Sequence, residues 1–173
     1  MMALVEAAAH PATPFAIVMV ASDRPEAAGL AWAHDNEIPT FALSPKGMVK
    51  AEYEAAIDRS LKEAGVEVLA LAGYMRLLSD DFVARWRGRI LNIHPSLLPK
   101  YKGLDTHARA IAAGDAVAGC SVHLVTEELD GGEVLGQAEV PIMAGDTAVE
   151  LADRVLAAEH RLYPQVLANF VAR

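Results

Sequence analysis

Between Phe15 and Val20 the chain carries no polar side chain. A strand with one wet face alternates apolar and polar residues, so this unbroken run reads as a strand buried on both faces. Strands of that kind need helices above and below them, and the flanking sequence supplies helical patterns. Met1 to about Ala9 has helical composition and stops at Pro11 to Pro14. Pro25 to about Asn36 reads as a helix that Ser22 or Asp23 could cap, and a short strand follows near Pro39 to Leu43. Val49 to Ala64 places Tyr53, Ile57 and Leu61 on one stripe, with Gly65 as its C-terminal stop.

The alternation continues. Val66 to Leu71 is a second apolar strand, Ser79 to Trp86 a helix, and Ile90 to His94 a third buried strand. Thr106, as N-cap, opens a helix to about Ala113. Strands then run over Cys120–Val125 and Glu133–Val140, and a long amphipathic helix spans Thr147 to about Val171, with a kink or break expected at Pro164. This order predicts one α/β domain over residues 1–173: a mostly parallel open sheet with helices on both faces and a Rossmann-like N-terminal half. At 173 residues, without repeats or a flexible linker, nothing asks for a second domain. The front is unusual, because a parallel sheet normally opens on a strand and this chain opens on a helix. There is no room for a first strand or for the glycine-rich turn that usually cradles phosphate before the first helix.

A formal net charge of −8 argues against nucleic acid and anionic membranes as partners. The apolar opening is short, lacks basic residues and includes Glu6, so it does not read as a secretory signal. No apolar run approaches the ~18 residues of a membrane span. The single Cys120 cannot form an internal disulfide and suits a reducing cytoplasm.

The strand Ile90–His94 delivers Asn92 and His94 two residues apart, hence on one face, and Pro95 and Pro99 stiffen its exit. An amide donor beside an imidazole suits stabilisation of an oxyanion next to proton transfer, although both groups could instead satisfy loop backbone. Asp130, in Leu129-Asp130-Gly131-Gly132, is either a turn-capping carboxylate or the partner of His94. No Ser or Cys stands in a nucleophile elbow, so the set fits direct transfer of an acyl-like group rather than covalent catalysis. His107 and His123 invite a metal reading, but no HExxH or clustered Cys/His spacing occurs. Met75-Arg76-Leu77 follows a strand and Gly73, where ligands bind in open α/β sheets; a core and salt-bridge role fits the local residues equally well.

The run Asn92-Ile93-His94-Pro95-Ser96-Leu97-Leu98-Pro99, then Gly103-Leu104-Asp105-Thr106-His107, then Glu128-Leu129-Asp130-Gly131-Gly132, resembles the phosphoribosylglycinamide formyltransferase family. The likeness extends through Ala72–Arg76, His123 and Ala158–Pro164 to the C-terminus. His-Pro-Ser-Leu-Leu-Pro alone is shared with other 10-formyltetrahydrofolate-dependent enzymes, including the one acting on initiator methionyl-tRNA, and Gly103–His107 is the discriminating form.

The resemblance implies formyl transfer from 10-formyltetrahydrofolate to the amine of glycinamide ribonucleotide in purine biosynthesis, without a metal, by a monomer or homodimer. It implies Asn92, His94 and Asp130 as catalytic residues. The folate is expected against Met75, Arg76, Leu77, Val125 and the turn ending at Asp130, and the ribonucleotide against Lys50, Gly73 and Glu159. Family members begin with an apolar strand and a Gly-Ser-Gly-Ser-Asn-like phosphate loop, and Met1–Val5 resembles the helix after it. The resemblance therefore implies an N-terminally truncated domain with a gap or open edge beside Phe15–Val20. Two alternatives follow: another formyltetrahydrofolate-dependent transferase or hydrolase, or a folate-binding module whose catalysis is impaired.

Overall fold

A computed structural model describes residues 1–173. Helix α1 (Met2–Ala8) leads to strand β1 (Val20–Ser22), helix α2 (Ala28–Asp35), strand β2 (Thr40–Ala42) and helix α3 (Lys50–Glu63). Strand β3 (Leu69–Leu71), helix α4 (Asp80–Arg85), strand β4 (Ile90–His94) and helix α5 (Thr106–Ala112) follow. Strands β5 (Val117–Leu124) and β6 (Val134–Pro141) and helix α6 (Ala148–Val171) complete the chain.

The sheet is mixed, which corrects the mostly parallel expectation. β1 pairs with β2 and β3 with β4 in parallel, but β4–β5 and β5–β6 are antiparallel. The chain leaves β4 at His94 and is held at that end, where Thr106 at the start of α5 donates to the Pro95 carbonyl, so it re-enters as β5 running the other way.

Helices do cover both faces. Leu91 and Val122 pack under α6 with Tyr163, Val166 and Leu167, while Ile90 packs on the other face against Leu61 of α3 and Phe82 and Trp86 beside α4. Tyr163 lies in the core and its hydroxyl faces the carbonyls of Leu71 and Leu91, both at 3.0 Å, joining α6 to β3 and β4. Thr147 and Glu150 form a reciprocal capping box at the start of α6, and the helix continues through Pro164 rather than breaking there. Buried Glu54 accepts from the Ser79 amide at 2.8 Å and from the Ser79 hydroxyl, which fixes the first turn of α4.

Local expectations fail in three places. Ala27, not Ser22 or Asp23, precedes α2, and no side chain caps that helix. Thr106 is the first residue of α5 rather than its cap, because its hydroxyl donates instead to the Pro95 carbonyl at 2.8 Å. Of the apolar run Phe15–Val20, only Val20 joins a ladder, and the backbone groups of Phe15–Met19 pair with no other backbone group. The sheet is accordingly in two parts, β1–β2 and β3–β4–β5–β6. Between them lies an apolar groove of about 650 Å³.

Candidate active site

Ile90, Asn92 and His94 share one face of β4. Ile90 is sealed beneath α3 and α4, and the next two residues on that face emerge beyond the packed layer. Register sets Asn92 opposite His123 and His94 opposite Ser121 on β5. The loop after β5 then folds back and brings Asp130 to the same place.

Each ring is held in a definite tautomer. His94 is 6% exposed, and its Nε2 lies 2.9 Å from the Tyr101 carbonyl. A carbonyl only accepts, so Nε2 carries the hydrogen and Nδ1 presents its lone pair. Nδ1 stands 3.5 Å from Asp130 Oδ2. A proton arriving at Nδ1 is therefore received beside a carboxylate that stabilises the imidazolium. His123 Nδ1 lies 2.9 Å from the Leu124 carbonyl, and its Nε2 lies 3.2 Å from Asn92 Nδ2. With the hydrogen on Nδ1, Nε2 accepts one amide hydrogen of Asn92, so the other is free to point into the site.

Burial lowers the pKa of His123, which supports this neutral form; Asp130 Oδ1, at 3.6 Å, pulls the other way. The neutral ring is the better account, because an N–H on Nε2 would face the Asn92 donor.

The loops around these residues are closely tied. Asp130 takes a left-handed backbone at φ 48°, and its Oδ2 accepts from the Gly103 amide at 2.9 Å, joining the two turns. Ser121 donates to the Ser96 carbonyl at 2.6 Å and accepts from the Leu98 amide at 3.0 Å. Ser96 donates to the Lys100 carbonyl at 2.6 Å, which shapes the path to Tyr101.

Gly132 is required by space: a Cβ there would sit 1.9 Å from the Leu124 carbonyl oxygen. Gly132→Ala is expected to push the Asp130 turn off its strand, lowering stability by about 1–3 kcal/mol and reducing activity with it. A thermal melt and a rate measurement on the variant check both, and unchanged values would mean that the turn relaxes freely.

Two imidazoles, the buried His123 and the half-buried His107, also set an acid sensitivity. Burial holds the pKa of His107 and of His123 below the ordinary 6.5. Above that value both are neutral whether folded or not. As pH falls below it the unfolded chain takes up protons that the folded chain refuses, so stability is lost until the lower folded values are reached. Glu159, raised by burial, acts in the opposite direction as it protonates. The contrast is therefore the test. On going from about pH 7.5 to 5.5 the unmodified chain is expected to lose more melting temperature than His123→Gln, and equal losses would remove His123 from this account.

The structure brings Asn92, His94 and Asp130 together. Met75 and Leu77 are 75% and 69% exposed on the loop after β3, so neither is a core residue. Arg76 lies 5.7 Å over the Tyr53 ring. Val125, like Leu71 and Leu78, packs against the cluster of Leu61, Phe82, Trp86 and Ile90, and its amide donates to the Ile90 carbonyl at 2.8 Å. Lys50 and Glu159 share no hydrogen bond or ion pair with the trio: Lys50 Nζ stands 4.0 Å from Glu54, and Glu159 lies on α6. Gly73 sits at φ 72° at the β3 exit. The Tyr101 carbonyl, the Gly103 amide and the orienting role of His123 were not assigned from sequence. No group of His, Cys, Asp or Glu side chains has a metal-site arrangement, and no helix is long and apolar enough to cross a membrane.

Fold and site together define an α/β domain with an amide, an imidazole and a carboxylate converging at the end of a buried strand. A family model described as formyl transferase matches residues 1–167. A phosphoribosylglycinamide formyltransferase crystal structure from Brucella melitensis superposes with a TM-score of 0.94 at 53% identity, covering 99% of this chain and 88% of that one. The phosphoribosylglycinamide formyltransferase of Escherichia coli is 45% identical over 152 residues, 87% of this chain and 72% of that protein. The chain belongs to the formyl transferase family, in its phosphoribosylglycinamide formyltransferase branch. It also aligns with the trifunctional purine biosynthetic protein adenosine-3 of Gallus gallus, 44% identical over 95% of this chain, but spans only 17% of that protein's length.

Proposed function

We propose that the chain, as one formyltransferase domain over residues 1–173, transfers the formyl group of 10-formyltetrahydrofolate to the amine of glycinamide ribonucleotide. The observation that carries this reading is the His94 ring: its Nε2 is bound to Tyr101, so its Nδ1 is left basic beside Asp130, with the Asn92 amide on the same face.

The amine nitrogen attacks the formyl carbon, and a carbon–nitrogen bond forms as the carbonyl oxygen gains negative charge. The free Asn92 hydrogen meets that oxygen. His94 Nδ1 takes the proton from the attacking amine, Asp130 stabilises the imidazolium, and the proton passes to the departing folate nitrogen as the old carbon–nitrogen bond breaks. The net change moves one formyl group and one proton in opposite directions, so no metal or redox partner is needed.

The folate ring lies against the exposed Met75–Leu77 loop, Val125 and the Asp130 turn, and the ribonucleotide meets Gly73, Lys50 and Glu159. A cytoplasmic monomer or homodimer goes with this reading: the only cysteine, Cys120, is a free buried thiol, and the net charge of −8 disfavours nucleic acid. The test is tetrahydrofolate release with glycinamide ribonucleotide, compared with methionyl-tRNA and with water alone. Release with the ribonucleotide only supports the assignment. Release with water alone points to a hydrolase, and folate binding without release points to a binding module.

A further inference from the structure

Tyr101 meets the His94 ring through its backbone, from a conformation that its own residue type disfavours. Its φ of 57° is left-handed, a region that bulky side chains rarely enter. From there its carbonyl faces His94 Nε2 at 2.9 Å and accepts from the Ser96 hydroxyl at 3.3 Å. This carbonyl decides which nitrogen of His94 is bare. The other neutral tautomer would set its hydrogen on Nδ1, facing the Asp130 carboxylate 3.5 Å away, and would leave no lone pair there for an attacking amine.

The far end of the Tyr101 side chain is tied down. Its hydroxyl donates to Asp115 Oδ2 at 2.7 Å, and Lys100 Nζ donates to both oxygens of the same carboxylate, at 2.8 and 3.0 Å. The Lys100 ammonium, and after it the Tyr101 hydroxyl, hold the Asp115 carboxyl below the usual carboxylate range, so it stays a charged and strong acceptor. Asp115 lies in the turn between α5 and β5 with its amide bound to the Ala110 carbonyl at 3.2 Å, so the anchor belongs to the frame and not to the Tyr101 loop. Arg109 of α5 stands 5.1 Å from the centre of the Tyr101 ring. Packing alone does not fix that ring: it is half-buried, and a cavity of about 130 Å³ adjoins it, lined also by Pro95, Thr106, His107 and Asp115.

We propose that Tyr101 and Asp115 are positioning residues for His94: Asp115 holds the Tyr101 hydroxyl, and that tie keeps the Tyr101 backbone left-handed with its carbonyl against Nε2. Neither side chain shares a hydrogen bond with Asn92, His94 or Asp130, so both act at one remove. The inference rests on the formyl-transfer reading for the task it gives His94, but the tautomer is read without turnover.

The test records the imidazole nitrogen resonances of His94 in the isotope-labelled full chain, on the plateau above the ring's own titration, with His94→Ala serving only to assign them. In the parent chain Nε2 should resonate as the protonated nitrogen and Nδ1 as the bare one. In Asp115→Ala and in Tyr101→Phe the two are expected to move towards each other as the hydrogen divides between them. In the same variants kcat for formyl transfer should fall by about ten- to a hundredfold, with KM little changed. Asp115→Asn keeps an oxygen for the Tyr101 hydroxyl and should recover most of both losses. Tyr101→Phe removes one oxygen and leaves the ring beside Arg109, so it decides the matter if Asp115→Ala does not fold.

Nitrogen resonances that stay at their parent positions in Tyr101→Phe would overturn the proposal, whatever happened to the rate or the melting temperature. So would a parent ring with its hydrogen on Nδ1, because the Tyr101 carbonyl would then hold nothing. An Asp115→Asn chain as disturbed as Asp115→Ala would overturn it too, since the charge on Asp115 and not the Tyr101 hydroxyl would be the anchor. Resonances that move in a chain inactive towards the ribonucleotide would uphold the anchor while removing the catalytic reading, so the two fail separately.

Discussion

Replacing His94 with alanine is expected to slow formyl transfer by about 10²- to 10⁴-fold while the chain stays folded. His94 is the group whose chemistry is most tightly specified by its surroundings. The Tyr101 carbonyl at 2.9 Å keeps the hydrogen on Nε2, and Asp130 stands 3.5 Å from Nδ1. Alanine removes the base and leaves the carboxylate with its Gly103 amide. Asp130→Asn is the companion variant, because it keeps an acceptor for Gly103 but no longer stabilises the imidazolium. If the two residues act as one unit, the double variant should be little slower than His94→Ala alone. Single-turnover rates on the four proteins, with melting curves beside them, decide the matter. A His94→Ala enzyme within a few-fold of the parent rate would end its proposed role, and fully additive losses would separate Asp130 from His94.

What the sequence disclosed and what it withheld follow from the range of the interactions involved. Asn92 and His94 were legible because alternation along one strand is a local property, and a five-residue run with buried Ile90 and Leu91 declares itself. The Asp130 turn was legible as a turn, since Gly132 has space for no side chain, but its choice between capping and partnering His94 was not. Asp130 Oδ2 faces His94 and accepts from Gly103 of another loop, not from a group of its own turn.

The orienting role of His123 needed the antiparallel register that sets it opposite Asn92, and that register depends on the chain staying at the β4 exit, where Thr106 is tied to the Pro95 carbonyl. Pattern alone gives an alternation of strands and helices without their direction. Thr106 illustrates a smaller limit. A threonine before a helical run has the composition of a cap, yet a carbonyl eleven residues earlier, at Pro95, took its hydroxyl. Phe15–Val20 shows the reverse: its apolar pattern announces a doubly buried strand, while its ladder reaches only Val20, where the partner strand β2 begins at Thr40 after Pro39, which has no amide hydrogen to donate.

Asn92→Ala is expected to cost on the order of 3 kcal/mol in the transition state, a slowing of about 100-fold or more. The amide is well placed for that contribution because His123 already fixes its orientation. One hydrogen goes to His123 Nε2 at 3.2 Å, and the Leu124 carbonyl holds that ring in the accepting tautomer. The remaining hydrogen is thus oriented before any substrate arrives, so little reorganisation is needed as charge builds on the formyl oxygen. A loss on alanine substitution alone could reflect packing, and Asn92→Asp separates the two causes. Aspartate has nearly the same shape but offers no amide hydrogen, and it sets a negative charge against the developing oxyanion. It should therefore be at least as slow as Asn92→Ala, with the deficit in kcat rather than in KM, because the lost interaction belongs to the transition state. An aspartate variant that retained most of the parent kcat would show that Asn92 fills space, and the oxyanion would have to be held by some other donor in the site.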